Sequence, residues 1–179
     1  IYVWALPLPD QVQTQLDEGV SHGFDGMIVY IDKAGAPPAF YASGFHNRAL
    51  KTPADPHDFF KIASIGKLYH ALAITKLVYE KRLTLDQTLA FHFPELVGRI
   101  EYAERITIRM MVQHRSGIPN LSDTPNFYMN PPKSFEEALG KILDTPADFE
   151  PGSSYAYSNT NYLLLSELIK RVTGGDKFD

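Results

Sequence analysis

Ser64-Ile-Gly-Lys67 sets a hydroxyl and an amine three residues apart. Serine is a weak nucleophile until a neighbouring base takes its proton. On a helix, positions three apart share one face, so this spacing would bring the amine to the hydroxyl. A lysine placed there can serve as general base or proton relay. Ser64 also opens a long apolar run, and at a helix start the unpaired N–H groups and positive dipole end favour developing negative charge. Taken alone, the same four residues read more readily as a helix cap followed by a solvated or snorkelling lysine, so the spacing carries weight only in combination. A second candidate is Tyr157-Ser-Asn159, although Tyr128-Met-Asn130 shows the same pattern. Tyr157 stands directly before the apolar run that begins at Asn159, whereas Tyr128 lies among prolines and asparagines. A phenol near a cation can relay protons, and an Asn carboxamide can accept from an amine while donating to a carbonyl. The alternative roles are a core aromatic for Tyr157 and a helix cap for Asn159.

Elements must hold these groups in place. Asp10 is suited to cap a helix carrying Val12, Leu16 and Val20. Gly26–Ile31 and Ala39–Phe45 read as a β-hairpin around the turn residues 32–38, and residues 46–58 read as loop. Ile65 to Lys81 is the strongest helix. Its apolar residues fall on nearly every side of the wheel, which predicts burial all round. Thr107 caps a short helix through Val112 that stops at Gly117 and Pro119. Residues 118–133 read as a long loop. Ser134-Phe-Glu-Glu137 is a capping box ahead of Ala138, Leu139, Ile142 and Leu143. A last helix runs from about Asn159 to Val172 and ends at Gly174-Gly175. Two strands and about five helices leave the hairpin short of partners, since an isolated hairpin is marginal.

Composition narrows the chemistry. The chain has 179 residues and no cysteine, which removes disulfide scaffolds, cysteine nucleophiles and thiolate metal sites. Seventeen basic against 21 acidic residues, a net charge of −4, argue against nucleic acid as a partner. The six histidines show no close pair at ligand spacing, so no metal and no cofactor is expected. No apolar run reaches the roughly 18 residues of a membrane helix. Ile1–Leu8 is apolar but lacks a basic leader segment and a cleavage signature, and reads as a mature or trimmed N-terminus.

Taken together, Phe60-Lys-Ile-Ala-Ser-Ile-Gly-Lys67, Leu83-Thr-Leu-Asp86, Ile106-Thr-Ile-Arg-Met-Met-Val-Gln-His-Arg-Ser-Gly-Ile-Pro119 and Phe149-Glu-Pro-Gly-Ser-Ser-Tyr-Ala-Tyr-Ser-Asn-Thr-Asn-Tyr162 resemble the family of class C β-lactamases, serine penicillin-binding DD-peptidases and related esterases. The order and spacing match over roughly residues 20–175. The resemblance implies an α+β fold of the β-lactamase/transpeptidase type. About 1–60 would supply an N-terminal helix and the hairpin of an antiparallel sheet, and about 61–179 the helical region. It implies Ser64 as the acylated nucleophile, Lys67 as its base or relay and Tyr157 as a second relay. Asn159 would bind the substrate amide and position Lys67, and the Ser64 N–H would be one oxyanion donor. The segment at His114 reads as structural.

The family's third motif, Lys-Ser/Thr-Gly or His-x-Gly on a strand facing the serine, is not found. Arg115-Ser-Gly117 fits the letters but ends a helix, and Ser21-His-Gly23 precedes the first strand. The chain therefore reads as the N-terminal half of a two-part hydrolase, with the C-terminal strands absent. Its expected partners are the missing C-terminal half and a small or peptidoglycan-like acyl substrate: a β-lactam, a D-alanyl peptide or an ester. By resemblance its place is periplasmic or secreted. The competing readings are a non-catalytic penicillin-binding or sensor module, and an inactive truncated half.

Overall fold

The structure is a computed structural model that describes residues 9–175; the apolar stretch Ile1–Leu8 and the final residues 176–179 lie outside the described part. The chain divides into two compact units, one ending at Lys61 and one beginning at Ile62.

The first unit opens with α1 (Pro9–Ser21), which buries Val12 and Leu16. The helix already runs at Pro9, so Asp10 lies in its first turn and is not the expected cap. Proline suits the first helical position because its missing N–H would have no partner there, and a carboxylate in the first turn is favoured by the dipole. Strands β1 (Gly26–Ile31) and β2 (Ala39–Asn47) pair antiparallel from Gly26 opposite Gly44 to Ile31 opposite Ala39. At Gly44 φ is +80°, and a Cβ there would lie 2.5 Å from the Asp25 carbonyl, so only glycine fits. The region expected to be all loop contributes a further strand, β3 (Thr52–Pro53), on the free edge of β2. Two residues ending in proline carry no readable strand pattern, and proline is tolerated there because an edge position asks for no further ladder bond.

The second unit is helical. A 3₁₀ turn, Ala63–Ile65, runs straight into α2 (Gly66–Tyr79). Short helices α3 (Leu89–His92), α4 (Ile108–Val112) and α5 (Phe135–Gly140) follow, and α6 (Asn159–Thr173) closes the unit. Thr107 caps α4 by accepting from the Met110 N–H at 3.2 Å, and Ser134 caps α5 by accepting from the Glu137 N–H at 3.1 Å. Gly174 ends α6 in the left-handed conformation, as its position predicts. The core gathers Ile74 and Leu77 of α2, Leu89 and Phe93, Ile106, Ile108 and Met111, and Leu164, Leu165, Leu168 and Ile169 of α6.

The burial expected around α2 is not observed. Only Ile74 and Leu77 are buried, while Leu68, Tyr69, Leu72 and Tyr79 are 60–87% exposed. A wheel counts the faces that are apolar; it does not supply enough partner surface to cover each of them. Within the second unit α2 packs against α6, which covers one side.

Candidate active site

Ser64 sits in the 3₁₀ turn at the head of α2, and the backbone just before it is left-handed at Ala63, with φ +46°. That conformation costs a non-glycine residue on the order of 1 kcal/mol. It presents Ser64 as an exposed side chain. One turn on, the Lys67 Nζ donates to Ser64 Oγ at 3.1 Å and to Asn159 Oδ1 at 2.8 Å. The Tyr157 hydroxyl lies 2.8 Å from Ser64 Oγ. All four residues expected from the sequence therefore meet at one point. The Lys67 ammonium also faces the Tyr157 ring, 4.9 Å from its centre, and the Tyr162 ring at 5.7 Å. Aromatic faces attract a cation and hold it without taking up its donors.

Two opposing effects act on the Tyr157 phenol. Burial pushes its pKa up, but the hydrogen-bonding and charge of Lys67, with the Ser64 hydroxyl, outweigh that, and the net shift is downward from 10.0. A phenol so placed gives up its proton more readily than free tyrosine, and the phenolate it leaves can take one from Ser64.

The phenol is held from behind by His114. The two rings stack at 4.5 Å, and on its other contact His114 meets Tyr162 at 5.2 Å. His114 Nδ1 accepts from the Ser158 N–H at 3.1 Å, so the neutral ring carries its proton on Nε2. Burial, and then the charge of Lys67, hold this imidazole below its usual value. The segment after it is framework: Ser116 Oγ donates to Asn161 Oδ1 at 2.6 Å inside the core. At Gly117, with φ +79°, a Cβ would strike the Phe149 carbonyl at 2.0 Å. Arg115 binds the Gly152 carbonyl, so Arg115-Ser-Gly117 is not a site motif.

A cleft of about 710 Å³ opens at the serine; Ser64, Lys67, Asn159 and Ser122 line it, with Phe127 and Tyr128 on one wall. Two polar groups that hold Asn159, only Ser122 of them on the cleft wall, carry no sequence mark of a site residue. Asn120 Oδ1 accepts from the Asn159 backbone N–H at 2.9 Å, and Ser122 Oγ accepts from Asn159 Nδ2 at 2.8 Å. Both lie in the stretch read as loop, and their only sequence signal is a pair of short polar side chains just past a Gly-Ile-Pro stop. Asn159 itself is the first residue of α6, and Ser158 stands at the cap position. His70 bonds the Gly66 carbonyl through Nδ1 at 2.8 Å. Among the described residues no group of three His, Asp or Glu side chains could hold a metal ion. The described strands are β1 to β3, and none carries a basic-x-Gly triplet.

A serine, a lysine and a tyrosine converging at a helix head, behind a small antiparallel sheet in sequence order, define the serine β-lactamase and penicillin-binding class. The sequence pattern of the family Beta-lactamase matches residues 10–179, and the chain belongs to that family. It is similar to the D-amino acid amidase of Ochrobactrum anthropi SV3, with 27% identity and a TM-score of 0.78 over 93% of this chain and 45% of the amidase chain. It is similar to a penicillin binding protein from Bacillus halodurans, with 28% identity and a TM-score of 0.70 over 82% of this chain and 46% of that one. It is also similar to Protein flp of Staphylococcus aureus (strain N315), 29% identical over 174 residues, 93% of this chain and 34% of that protein. The chain thus spans from about a third to under half the length of these relatives, and corresponds to an N-terminal half of the fold.

Proposed function

We propose that the whole protein is a serine acyl hydrolase that works through an acyl-enzyme. The observation that carries this is the pair of hydrogen bonds at Ser64 Oγ, one shared with the Tyr157 hydroxyl at 2.8 Å and one donated by Lys67 at 3.1 Å. The Tyr157–Lys67 pair starts one proton short, with the Tyr157 oxygen deprotonated beside the Lys67 ammonium, and as the Ser64 oxygen attacks a carbonyl carbon its proton passes to the Tyr157 oxygen. The carbon–nitrogen bond (carbon–oxygen in an ester) then breaks, and the same pair returns the proton to the leaving group. Water repeats the sequence on the acyl-serine and frees Ser64. The Ser64 backbone N–H is one candidate donor to the oxyanion.

The substrate class proposed is an acyl compound of the β-lactam, D-alanyl peptide or ester kind. The amidase and penicillin-binding relatives support an amide carbonyl. The exposed apolar side of α2, bearing Leu68, Leu72 and Tyr79, supports a role for the remaining half of the protein as its cover. A chain limited to these residues is then expected to be inert. A periplasmic or secreted location fits a peptidoglycan-like substrate. No described helix is long and apolar enough to cross a membrane.

Incubating the whole protein with a fluorophosphonate and, separately, with a fluorescent penicillin tests the reading. A covalent mass increase on the peptide carrying Ser64 is expected, lost in Ser64→Ala. A folded protein that the fluorophosphonate leaves unlabelled overturns it. Labelling by the penicillin with no product release beyond one equivalent would point to a binding module.

A further inference from the structure

Asn159 has the two-sided side chain on which the Lys67 geometry depends. Its carboxamide oxygen accepts from Lys67 at 2.8 Å, while its nitrogen donates to Ser122 Oγ at 2.8 Å and to Asn120 Oδ1 at 3.2 Å. Turned over by 180°, the group would set its NH₂ against the ammonium and its oxygen against another carbonyl oxygen. Shape alone does not distinguish the two orientations, since amide O and N are nearly the same size. A charged Lys67 opposes the turned state, but an amine that has released a proton can accept as well as donate, so a group of fixed character must hold the orientation throughout.

That anchor is the backbone N–H of Asn159 itself. It is a donor by covalent structure, and it donates to Asn120 Oδ1 at 2.9 Å. Asn120 must therefore point its oxygen, not its nitrogen, at the head of α6. The same oxygen takes the Ser122 hydroxyl at 3.0 Å. With an acceptor fixed there, Asn159 can present only its NH₂ on that side, and its oxygen is turned to Lys67.

We infer that Asn120 is a positioning residue: by capping the head of α6 it sets the orientation of the Asn159 carboxamide, and through it the place of the Lys67 amine beside Ser64. A consequence follows for Asn159. Both of its N–H bonds are committed within the chain, one to Ser122 and one to Asn120. A substrate amide would have to displace one of them, so Asn159 acts first toward Lys67. This role rests on the acyl-hydrolase reading for its effect on rate, but the hydrogen-bond arrangement does not.

The test uses the whole protein and p-nitrophenyl acetate as acyl donor. Asn120→Ala is expected to slow acylation about 10- to 100-fold, as displaced catalytic groups do, with KM changed less than about threefold. Asn120→Asp keeps the acceptor oxygen and is expected to restore most of the rate. If Asn120 acts through Asn159, the double variant Asn120→Ala/Asn159→Ala loses no more than Asn159→Ala alone. A folded Asn120→Ala that acylates at the parental rate, or a double variant whose losses multiply, overturns the proposal. Solvent exchange of the Asn159 side-chain NH₂, followed by NMR and assigned by its loss in Asn159→Asp, needs no turnover. It is expected to be slow in the parent and fast in Asn120→Ala, and equal exchange in both also overturns it. A parent that never acylates fails the hydrolase reading by itself, and the exchange measurement then decides the positioning role.

Discussion

Tyr-x-Asn occurs twice in this chain, in opposite surroundings. Tyr128 and Met129 are 81% and 86% exposed, and the Tyr128 ring meets Phe127 edge-on at 5.2 Å. Asn130 is held by a backbone turn onto Asn126. In the second copy, Tyr157 lies over His114 and touches Ser64 and Lys67, while every polar atom of the Asn159 side chain has a partner. The tyrosine and the asparagine are the same in both, and the middle residue is an exposed Met129 in one and a buried Ser158 in the other. What differs is a helix that starts at Asn159 and a loop that returns to cap it. A reactive tripeptide is thus made by the groups that remove its freedom: each extra contact narrows the set of positions the phenol can take, which is the source of a positioned catalyst's advantage.

The largest difference between the copies should be in turnover. Tyr157→Phe removes the proton carrier at 2.8 Å from Ser64 while leaving the stack on His114 intact. The expected loss is about 10²- to 10⁴-fold in kcat, the usual contribution of a general acid–base group. Tyr128→Phe lines the same cleft and is expected to stay within about threefold, a size typical of a group that touches substrate without taking part in proton transfer. Hydrolysis rates of the two variants of the whole protein measure this. Equal losses would mean that the wall residue, not the relay, limits the reaction.

What could be read beforehand follows the same division. Ser64 and Lys67 were legible because a helix fixes the relation of positions three apart. Tyr157 was separable from Tyr128 because the apolar run after Asn159 announces a helix. The partners of Asn159 were not legible: Asn120 and Ser122 approach across 39 and 37 residues, through a loop whose path no periodicity records. The uncovered faces of α2 have a related cause. Its apolar residues state how many faces seek cover, but not which segment supplies it, and α6 covers only one of them. The Thr107 and Ser134 caps were correct because capping is local, and Asp10 failed as a cap because Pro9 is as good a helix starter as Asp10 is a cap.

A smaller difference is expected in stability. Two residues past Asn159, Asn161 is fully buried and accepts from Ser116 Oγ at 2.6 Å. Asn161→Ala leaves that hydroxyl buried without its acceptor, which costs about 1–3 kcal/mol and should lower the Tm of the whole protein by several degrees. Asn130→Ala, in the exposed copy, should stay within about 0.5 kcal/mol. Thermal unfolding of both variants checks it. A destabilised Asn130→Ala would show that the loop of the first copy is as firmly packed as the head of α6.

The smallest effect expected is on the pH dependence of stability, and it too separates the copies, since a titratable ring, His114, backs Tyr157 while Tyr128 meets the Phe127 ring. Burial and the nearby Lys67 charge hold the His114 imidazole below 6.5. The unfolded chain, with an ordinary histidine, then takes up a proton before the folded one does. Between those two values the unfolded state binds more protons, so stability rises with pH there. The contribution is intact above pH 6.5 and is lost as the pH falls toward the folded value. His92 is also held low, by burial and then by Arg171, and adds a loss of the same sign, so His92→Gln is the proper control. Tm values from about pH 7.5 to 5 should fall less steeply in His114→Phe than in the parent, and His92→Gln should remove only its own share. An unchanged slope in His114→Phe would mean that the ring under Tyr157 accepts a proton as easily in the folded protein as outside it.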